Sequence, residues 1–214
     1  MMFERFRLYI EGGGSDFIDK TFTGCSEKTL PKSEDRRPIK IPYELYFYGK
    51  SAAWKDNAVA FISEKPQTAS QTYCRIYRVT KLQFEQIVQQ ENGLDPETEN
   101  LGINYAELER EKQTFIGHPD EFQRYGRVIW IGRQNDLPIL TFTSKREMEQ
   151  IPPDEYSEPS KEYLSVIIKG IKQSHKMKNS LPLFDYFKGI KGIFGCLSDN
   201  ELMDIIESPN CREL

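Results

Sequence analysis

The stretch Gln71–Gly93 reads QTYCRIYRVTKLQFEQIVQQENG, and its period changes halfway along. Tyr73, Arg75, Tyr77 and Val79 alternate with Cys74, Ile76 and Arg78, which is the period of two of a strand. From Thr80 the spacing becomes helical, with Leu82, Phe84, Ile87 and Val88 on one apolar face. Thr80 is a good N-cap, and Gln83 three residues later completes a capping box. Asn92-Gly93 stops the helix, because Gly adopts the left-handed C′ conformation without steric cost.

Working outward from this unit, Phe3, Phe6 and Ile10 mark a short amphipathic helix over residues 2–11, stopped by Gly12-Gly13-Gly14. Residues 16–38 are polar and carry turn formers, so a long surface loop is expected. Ile39, Ile41, Tyr43, Leu45 and Phe47 alternate cleanly and predict one strand over 39–48. NAVAFI at 57–62 is a second. Downstream, 95–104 reads as loop and 105–112 as a weak helix. YGRVIWIG at 125–132 and LPILTFT at 137–143 form a hairpin across the turn residues 133–136. The Pro- and Glu-rich segment 146–159 reads as a linker. Helices are expected over 160–172, 181–188 and 198–206. The first carries Tyr163, Val166, Ile167 and Ile171 on one stripe.

Strands therefore come in runs rather than alternating strictly with helices. That predicts an α+β fold with one small mixed or antiparallel sheet or barrel of about five strands. The expected division is a core over 1–145, a linker over 146–159 and a helical extension over 160–214 packed on the core. The apolar stripes of the extension serve core packing first and a homodimer face second.

The 214 residues suit one ordinary domain with an extension. Hydrophobic residues make up 38% and charged residues 29%, too apolar for a disordered chain. The net charge is −4, with no basic stripe to follow a phosphate backbone, so nucleic acid is not an expected partner. No apolar run approaches the roughly 20 residues that span a bilayer, and no signal-type segment opens the sequence. The expected setting is cytoplasmic and away from membranes. Cys25, Cys74, Cys196 and Cys211 form no close pair and read as reduced thiols. His118 and His175 are far apart, so metal-ligand spacing is missing. No GxxxxGK[ST], GxSxG or HExxH motif occurs.

Glu91 breaks a local rule. It lies in the last turn of a helix, where the dipole disfavours a carboxylate by about 0.3–1 kcal/mol. Neither Gln89 nor Gln90 offsets it with a positive charge. The dipole and any burial are expected to raise its pKa, which suits a group that takes and returns a proton near neutral pH. The alternative is a solvated glutamate at a frayed helix end.

The segment from Tyr46 to Gly93 resembles the γ-glutamylcyclotransferase-like (AIG2-like) family, in which a helix after a strand pair ends in Leu-Asp-x-x-Glu-Gly. Here Ile87-Val88-Gln89-Gln90-Glu91-Asn92-Gly93 places Glu91 at the family's acid/base position, with Asn92 inserted before the Gly. Tyr46-Phe47-Tyr48-Gly49, then Trp54, then Ala58-Val59-Ala60-Phe61 is similar to a bacterial subgroup. Tyr125-Gly126-Arg127-Val128 resembles the family's later Tyr-Arg strand. The family's Tyr-Gly-Ser-Asn strand end is expected to be missing, since it would precede the helix at 2–10. Tyr48-Gly49-Lys50-Ser51 shares letters with it but lies in a later strand, and Gly14-Ser15-Asp16 is another imperfect echo.

The resemblance covers about residues 1–145 and implies intramolecular aminolysis of a small γ-glutamyl amide. The products are 5-oxoproline and an amine. Glu91 would be general acid and base, Trp54 and Tyr125 would be pocket walls, and no metal or organic cofactor is needed. The competing reading is a non-catalytic small-molecule-binding or interaction module on the same fold.

Overall fold

The computed structural model describes residues 1–97, 100–117 and 124–208; His118 and Cys211 lie outside the described residues. In chain order the elements are α1 (Phe3–Glu11), β1 (Gly13–Gly14), β2 (Thr21–Phe22), β3 (Arg36–Ile41), β4 (Leu45–Ser51), β5 (Asn57–Ile62) and β6 (Thr72–Tyr77). They are followed by α2 (Lys81–Glu91), α3 (Tyr105–Glu111), β7 (Gln113–Phe115), β8 (Arg127–Gln134), β9 (Leu137–Thr143), α4 (Lys161–His175), α5 (Leu181–Phe187) and α6 (Asp199–Glu207). The fold is α+β. No helix among the described residues is long and apolar enough to cross a membrane.

The strands pair antiparallel as β1-β2, β3-β6, β4-β5 and β7-β8-β9. These small sheets are joined by side chains where backbone ladders stop. The Thr143 hydroxyl accepts from Ile62 N–H at 3.1 Å and donates to the Ile62 carbonyl at 2.6 Å, fastening β9 to β5. The β8–β9 turn narrows to Asn135 and Asp136, with φ of 49° and 61°. Two left-handed residues in a row are the signature of a type I′ turn, whose twist matches the strands it joins.

The single strand expected over 39–48 is two strands. Residues Arg36–Ile41 pair with β6 and Leu45–Ser51 with β5. Between them Pro42 lacks an N–H, the Tyr43 carbonyl accepts from the Thr72 hydroxyl at 2.6 Å, and Glu44 and Ser63 exchange hydrogen bonds. Alternation runs straight through such a corner because it reports which face is buried and says nothing of which strand is the partner.

The loop expected over 16–38 contains β2, and β3 begins at Arg36. Phe22 and Cys25 are buried beneath α1 and α2 together with Phe6, Tyr9, Ile10 and Ile87. Segment 146–159, read as a linker, is packed. Met148 and Ile151 are buried in the largest core cluster, and Arg146 bonds the Tyr48 hydroxyl at 3.1 Å and Glu155 at 2.8 Å. In that cluster Leu164, Ile168, Leu183, Phe187, Leu202 and Ile206 of the C-terminal helices meet Tyr46, Phe47, Val59 and Phe61 of β4 and β5. The C-terminal helices thus cover this strand pair. Burial of this kind contributes about 25 cal/mol per Å² of apolar surface.

Among the described cysteines, Cys25 and Cys74 each have a thiol pushed up to about 11, chiefly by burial, whereas Cys196 is exposed. The thiolate is the reactive form, and two pH units of displacement remove roughly a hundredfold of it. In a time course of iodoacetamide labelling at pH 8 read by peptide mass spectrometry, Cys196 should be modified first. Cys25 and Cys74 should be modified at rates comparable to it only after denaturant is added.

Candidate active site

Helix α2 carries the candidate carboxylate, and its position is set at both ends. At the start, Gln83 N–H donates to the Thr80 hydroxyl at 3.1 Å and Thr80 N–H donates to the Gln83 amide oxygen at 3.0 Å, the expected capping box. At the end, Gly93 takes φ 72°. The face between them differs from the expectation. Leu82 is exposed, while Gln83, Gln86 and Gln90 are buried beside Ile87 and Val88.

These glutamines replace a missing ladder. Gln83 donates to the carbonyls of Glu27 and Thr29, Gln86 accepts from Ser26 N–H and donates to the Pro96 carbonyl, and Gln90 accepts from Gly24 N–H and donates to the Tyr9 carbonyl. A primary amide offers both a donor and an acceptor, so it can satisfy loop backbone that has no strand partner. The spacing 83, 86, 90 is itself helical and was a readable signal.

With α1 and the 23–29 segment fixed in this way, Tyr9 reaches the end of α2. Its hydroxyl donates to Glu91 Oε1. The Arg5 guanidinium, one turn earlier on α1, donates to the Tyr9 oxygen at 3.3 Å and lies over Trp54 at 5.3 Å and Tyr163 at 5.8 Å. Trp54 and Tyr163 pack with centroids 4.6 Å apart.

Asn92, which separates Glu91 from Gly93, has a structural use. Its amide oxygen accepts from Tyr125 N–H at 2.9 Å, and its amide nitrogen donates to the Tyr125 carbonyl at 3.0 Å. This two-bond clamp places the Tyr125 ring next to Glu91, against Phe61 and Phe142.

A cavity of about 40 Å³ is enclosed where these parts meet. Glu91, Tyr9, Tyr125, Trp54, Tyr163 and Ser51 line it. Arg5, Lys20 and Arg124 also line it, so three cations face one carboxylate. Lys20 Nζ donates to the Gln90 carbonyl at 3.4 Å; Arg124 donates to the Ser51 hydroxyl at 3.0 Å and to the Lys50 carbonyl at 2.9 Å. The latter pair holds the end of β4, where the ladder slips between Tyr48 and Ser51 and Gly49 takes φ 68°. A wider cleft of about 410 Å³ beside Glu85, Gln86 and Glu97 is lined by neither Glu91 nor a basic residue.

Glu91, Trp54 and Tyr125, all singled out from the sequence, line this one cavity. Tyr9, Arg5, Lys20, Ser51 and Arg124 complete it and were not singled out. Burial, and then the Glu91 carboxylate, push the Tyr9 phenol far above its usual range, so it remains a donor at any ordinary pH. Burial opposes the charge on Arg5, but Tyr9 and Glu91 outweigh that and hold the guanidinium above its usual range. Burial, aided by Arg5 and Arg124, lowers Lys20. Burial raises Tyr125 and Tyr163.

Replacing Asn92 with Ala leaves the Tyr125 backbone without its two partners. Removing hydrogen bonds to a half-buried backbone in this way should lower unfolding stability by about 1–3 kcal/mol. Urea denaturation of Asn92→Ala checks this; a loss below about 0.5 kcal/mol, the range of an ordinary surface change, would show that the clamp carries no load.

No protein-family model matches the chain, and no solved structure matches it. Among curated proteins it is similar to histone deacetylase 5 of Arabidopsis thaliana, at 30% identity over 182 residues. The alignment covers 81% of this chain and 27% of that protein, so the chain spans about a quarter of its relative's length.

Proposed function

We propose that the chain is a γ-glutamylcyclotransferase-like enzyme acting at the Glu91 cavity. The substrate's α-amine attacks its own γ-carbonyl, a C–N bond forms, and the bond to the leaving amine breaks. Glu91 takes a proton from the attacking nitrogen and gives one to the leaving nitrogen, so that 5-oxoproline and a free amine result. Because attack is intramolecular, the site has two tasks: to fold the substrate into attack geometry and to hold the developing oxyanion.

The observation that carries this reading is the position of Glu91. It is half-buried at the end of α2, oriented by the Tyr9 hydroxyl, and shares its cavity with Ser51, which closes the Tyr48-Gly49-Lys50-Ser51 turn. That turn was set aside on the sequence because it lies in a later strand than the family's Tyr-Gly-Ser-Asn. Ser51 is on the cavity wall and is the candidate for holding the γ-carbonyl, with Arg124 bonded to its hydroxyl and to the Lys50 carbonyl. Arg124 and Lys20 add positive potential near the oxygen that gains charge. The cavity holds little more than a water molecule, so substrate entry displaces side chains, and the long stem of Lys20, held only by a 3.4 Å contact to the Gln90 carbonyl, is the one able to swing.

The engagement of Glu91 by Tyr9 also fits the second reading, a binding module in which the carboxylate is a fixed structural acceptor. The relative's name concerns a protein of which only 27% is matched, and deacetylation is not carried over to this chain.

The test is release of 5-oxoproline from a panel of γ-glutamyl amides. Wild type should release it, and Glu91→Gln should reduce kcat by about 10²–10⁴, the usual contribution of a general acid–base group, with an unchanged circular dichroism spectrum and melting temperature. Undiminished release by Glu91→Gln would remove Glu91 from the chemistry. A folded wild type that releases none would leave the binding module.

A further inference from the structure

Positive charge on this acidic chain gathers on one ribbon. Strands β3 and β6 carry Arg36, Arg37, Lys40 and Arg75 and no Asp or Glu, although the whole chain has a net charge of −4. Residues directly opposite in an antiparallel pair share a face, and so do alternate residues of one strand. The register Arg36–Tyr77, Pro38–Arg75 and Lys40–Tyr73 therefore sets Arg36, Arg75 and Lys40 in a row on one face. Neighbours in that row spring from backbone about 7–8 Å apart. Arg36 lies over the Phe3 ring at 3.8 Å, Lys40 over Tyr73 at 4.6 Å and Arg75 over Tyr77 at 5.4 Å. The rings steady these cations without neutralising them. None of the three makes an ion pair among the described residues: of the acids preceding β3, Asp35 pairs with Arg78 at 3.5 Å and Glu34 accepts from the Ser33 hydroxyl. Lys40 and Pro38 are exposed, and Arg36 and Arg75 are half-buried. Helix α4 extends the patch. His175 packs on Tyr73 at 4.9 Å, and its Nε2 lies 3.0 Å from the Cys74 carbonyl. Lys176 and Lys178, exposed and also without ion pairs among the described residues, follow it directly.

We propose that this face docks an extended acidic segment of a partner protein, with Asp or Glu at alternate positions. Alternate side chains of an extended chain are about 7 Å apart, which matches the row of cations. Side chains already steadied on rings lose little freedom when a carboxylate arrives, and two of the three are guanidinium forks that can take a carboxylate through two hydrogen bonds. A single nucleic-acid strand also carries regularly spaced charge, but it gains much of its affinity by stacking bases on free aromatic rings. The rings here are occupied. Each carries a cation, Tyr77 also stacks on Phe6 at 3.9 Å, and Tyr73 also packs on His175 and on Tyr186 at 4.8 Å. Pro38 has no N–H in the middle of β3, so recognition rests on side chains rather than on an added strand. The row is assembled from two strands 36 positions and more apart in sequence, with α4 beside them, which is why no basic stripe appears along the chain. None of these residues lines the Glu91 cavity, so the docking face stands independently of the cyclotransferase reading.

Fluorescence anisotropy with a labelled peptide that alternates Glu and Ser over about twelve residues tests the assignment. Exposed charges are screened by salt, so the peptide should bind at about 50 mM salt and several-fold more weakly at about 300 mM. The same peptide with Gln in place of Glu should bind at least about tenfold more weakly, because each partly exposed ion pair contributes roughly two- to fivefold. Removing the row with Arg36→Gln, Lys40→Gln and Arg75→Gln together should weaken the acidic peptide by roughly tenfold or more. Removing equal charge elsewhere, with Lys65→Gln, Lys145→Gln and Lys161→Gln together, should change it less than about twofold. Thermal melts establish that both triple variants are folded. Lys40→Gln alone, at an exposed side chain without a hydrogen bond, should weaken binding by roughly two- to fivefold and keeps the test open should the first triple variant unfold. No binding of the acidic peptide at low salt, equal binding of the Gln peptide, or equal loss in the two triple variants would overturn the proposal. Tighter binding of a single-stranded oligonucleotide of equal charge than of the peptide would overturn it in favour of a nucleic-acid partner.

Discussion

The phenol of Tyr9 resting on the carboxylate of Glu91, 82 positions away in sequence, joins two helices, and most of the site is organised around that joint. Its existence requires α1 to lie against the end of α2. That in turn requires the 23–29 segment between them to be satisfied without a strand partner, which the glutamines of α2 accomplish. The hydrogen bond also fixes the protonation pattern. The phenol, held far above its usual range by burial and by the carboxylate, keeps its proton, and the carboxylate is presented in one orientation.

The same joint keeps opposite charges from collapsing onto each other. Arg5 and Glu91 in direct contact would form a buried ion pair, with most of its charge spent internally and a large desolvation cost. With a phenol between them, both charges remain available to a ligand. Lys20 and Arg124, bound to carbonyls and a hydroxyl, add positive potential to the same small cavity. An apolar frame of Trp54, Tyr125 and Tyr163 strengthens each of these interactions by excluding water.

What could be read beforehand was local. The capping box at Thr80–Gln83, the left-handed Gly93 and the hairpin turn depend on residues a few positions apart, and each appears where its chemistry requires. Glu91 was visible as a carboxylate at the wrong end of a helix. Trp54 and Tyr125 came through the family resemblance, and both line its cavity. What could not be read was partnership across distance. Helix α1 presented Phe3, Phe6 and Ile10 as its stripe, and Tyr9, adjacent to Ile10, carried no sign that its hydroxyl would reach Glu91. Arg5 was not singled out. The strand over 39–48 kept its alternation through a corner at Pro42–Glu44 where the partner changes. Ser51 was discounted by its order in the chain, which does not decide what the folded strand end faces.

On the proposed function, a γ-glutamyl amide binds in the cavity shared by Glu91, Tyr9 and Ser51. A crystal structure of Glu91→Gln, which should hold substrate without consuming it, soaked with a γ-glutamyl amide tests this most directly. The α-amine should lie against the side chain of residue 91 and the γ-carbonyl oxygen against Ser51, with Lys20 displaced. Ligand seated instead in the cleft beside Glu85 and Glu97, with the Glu91 cavity unchanged, would contradict it.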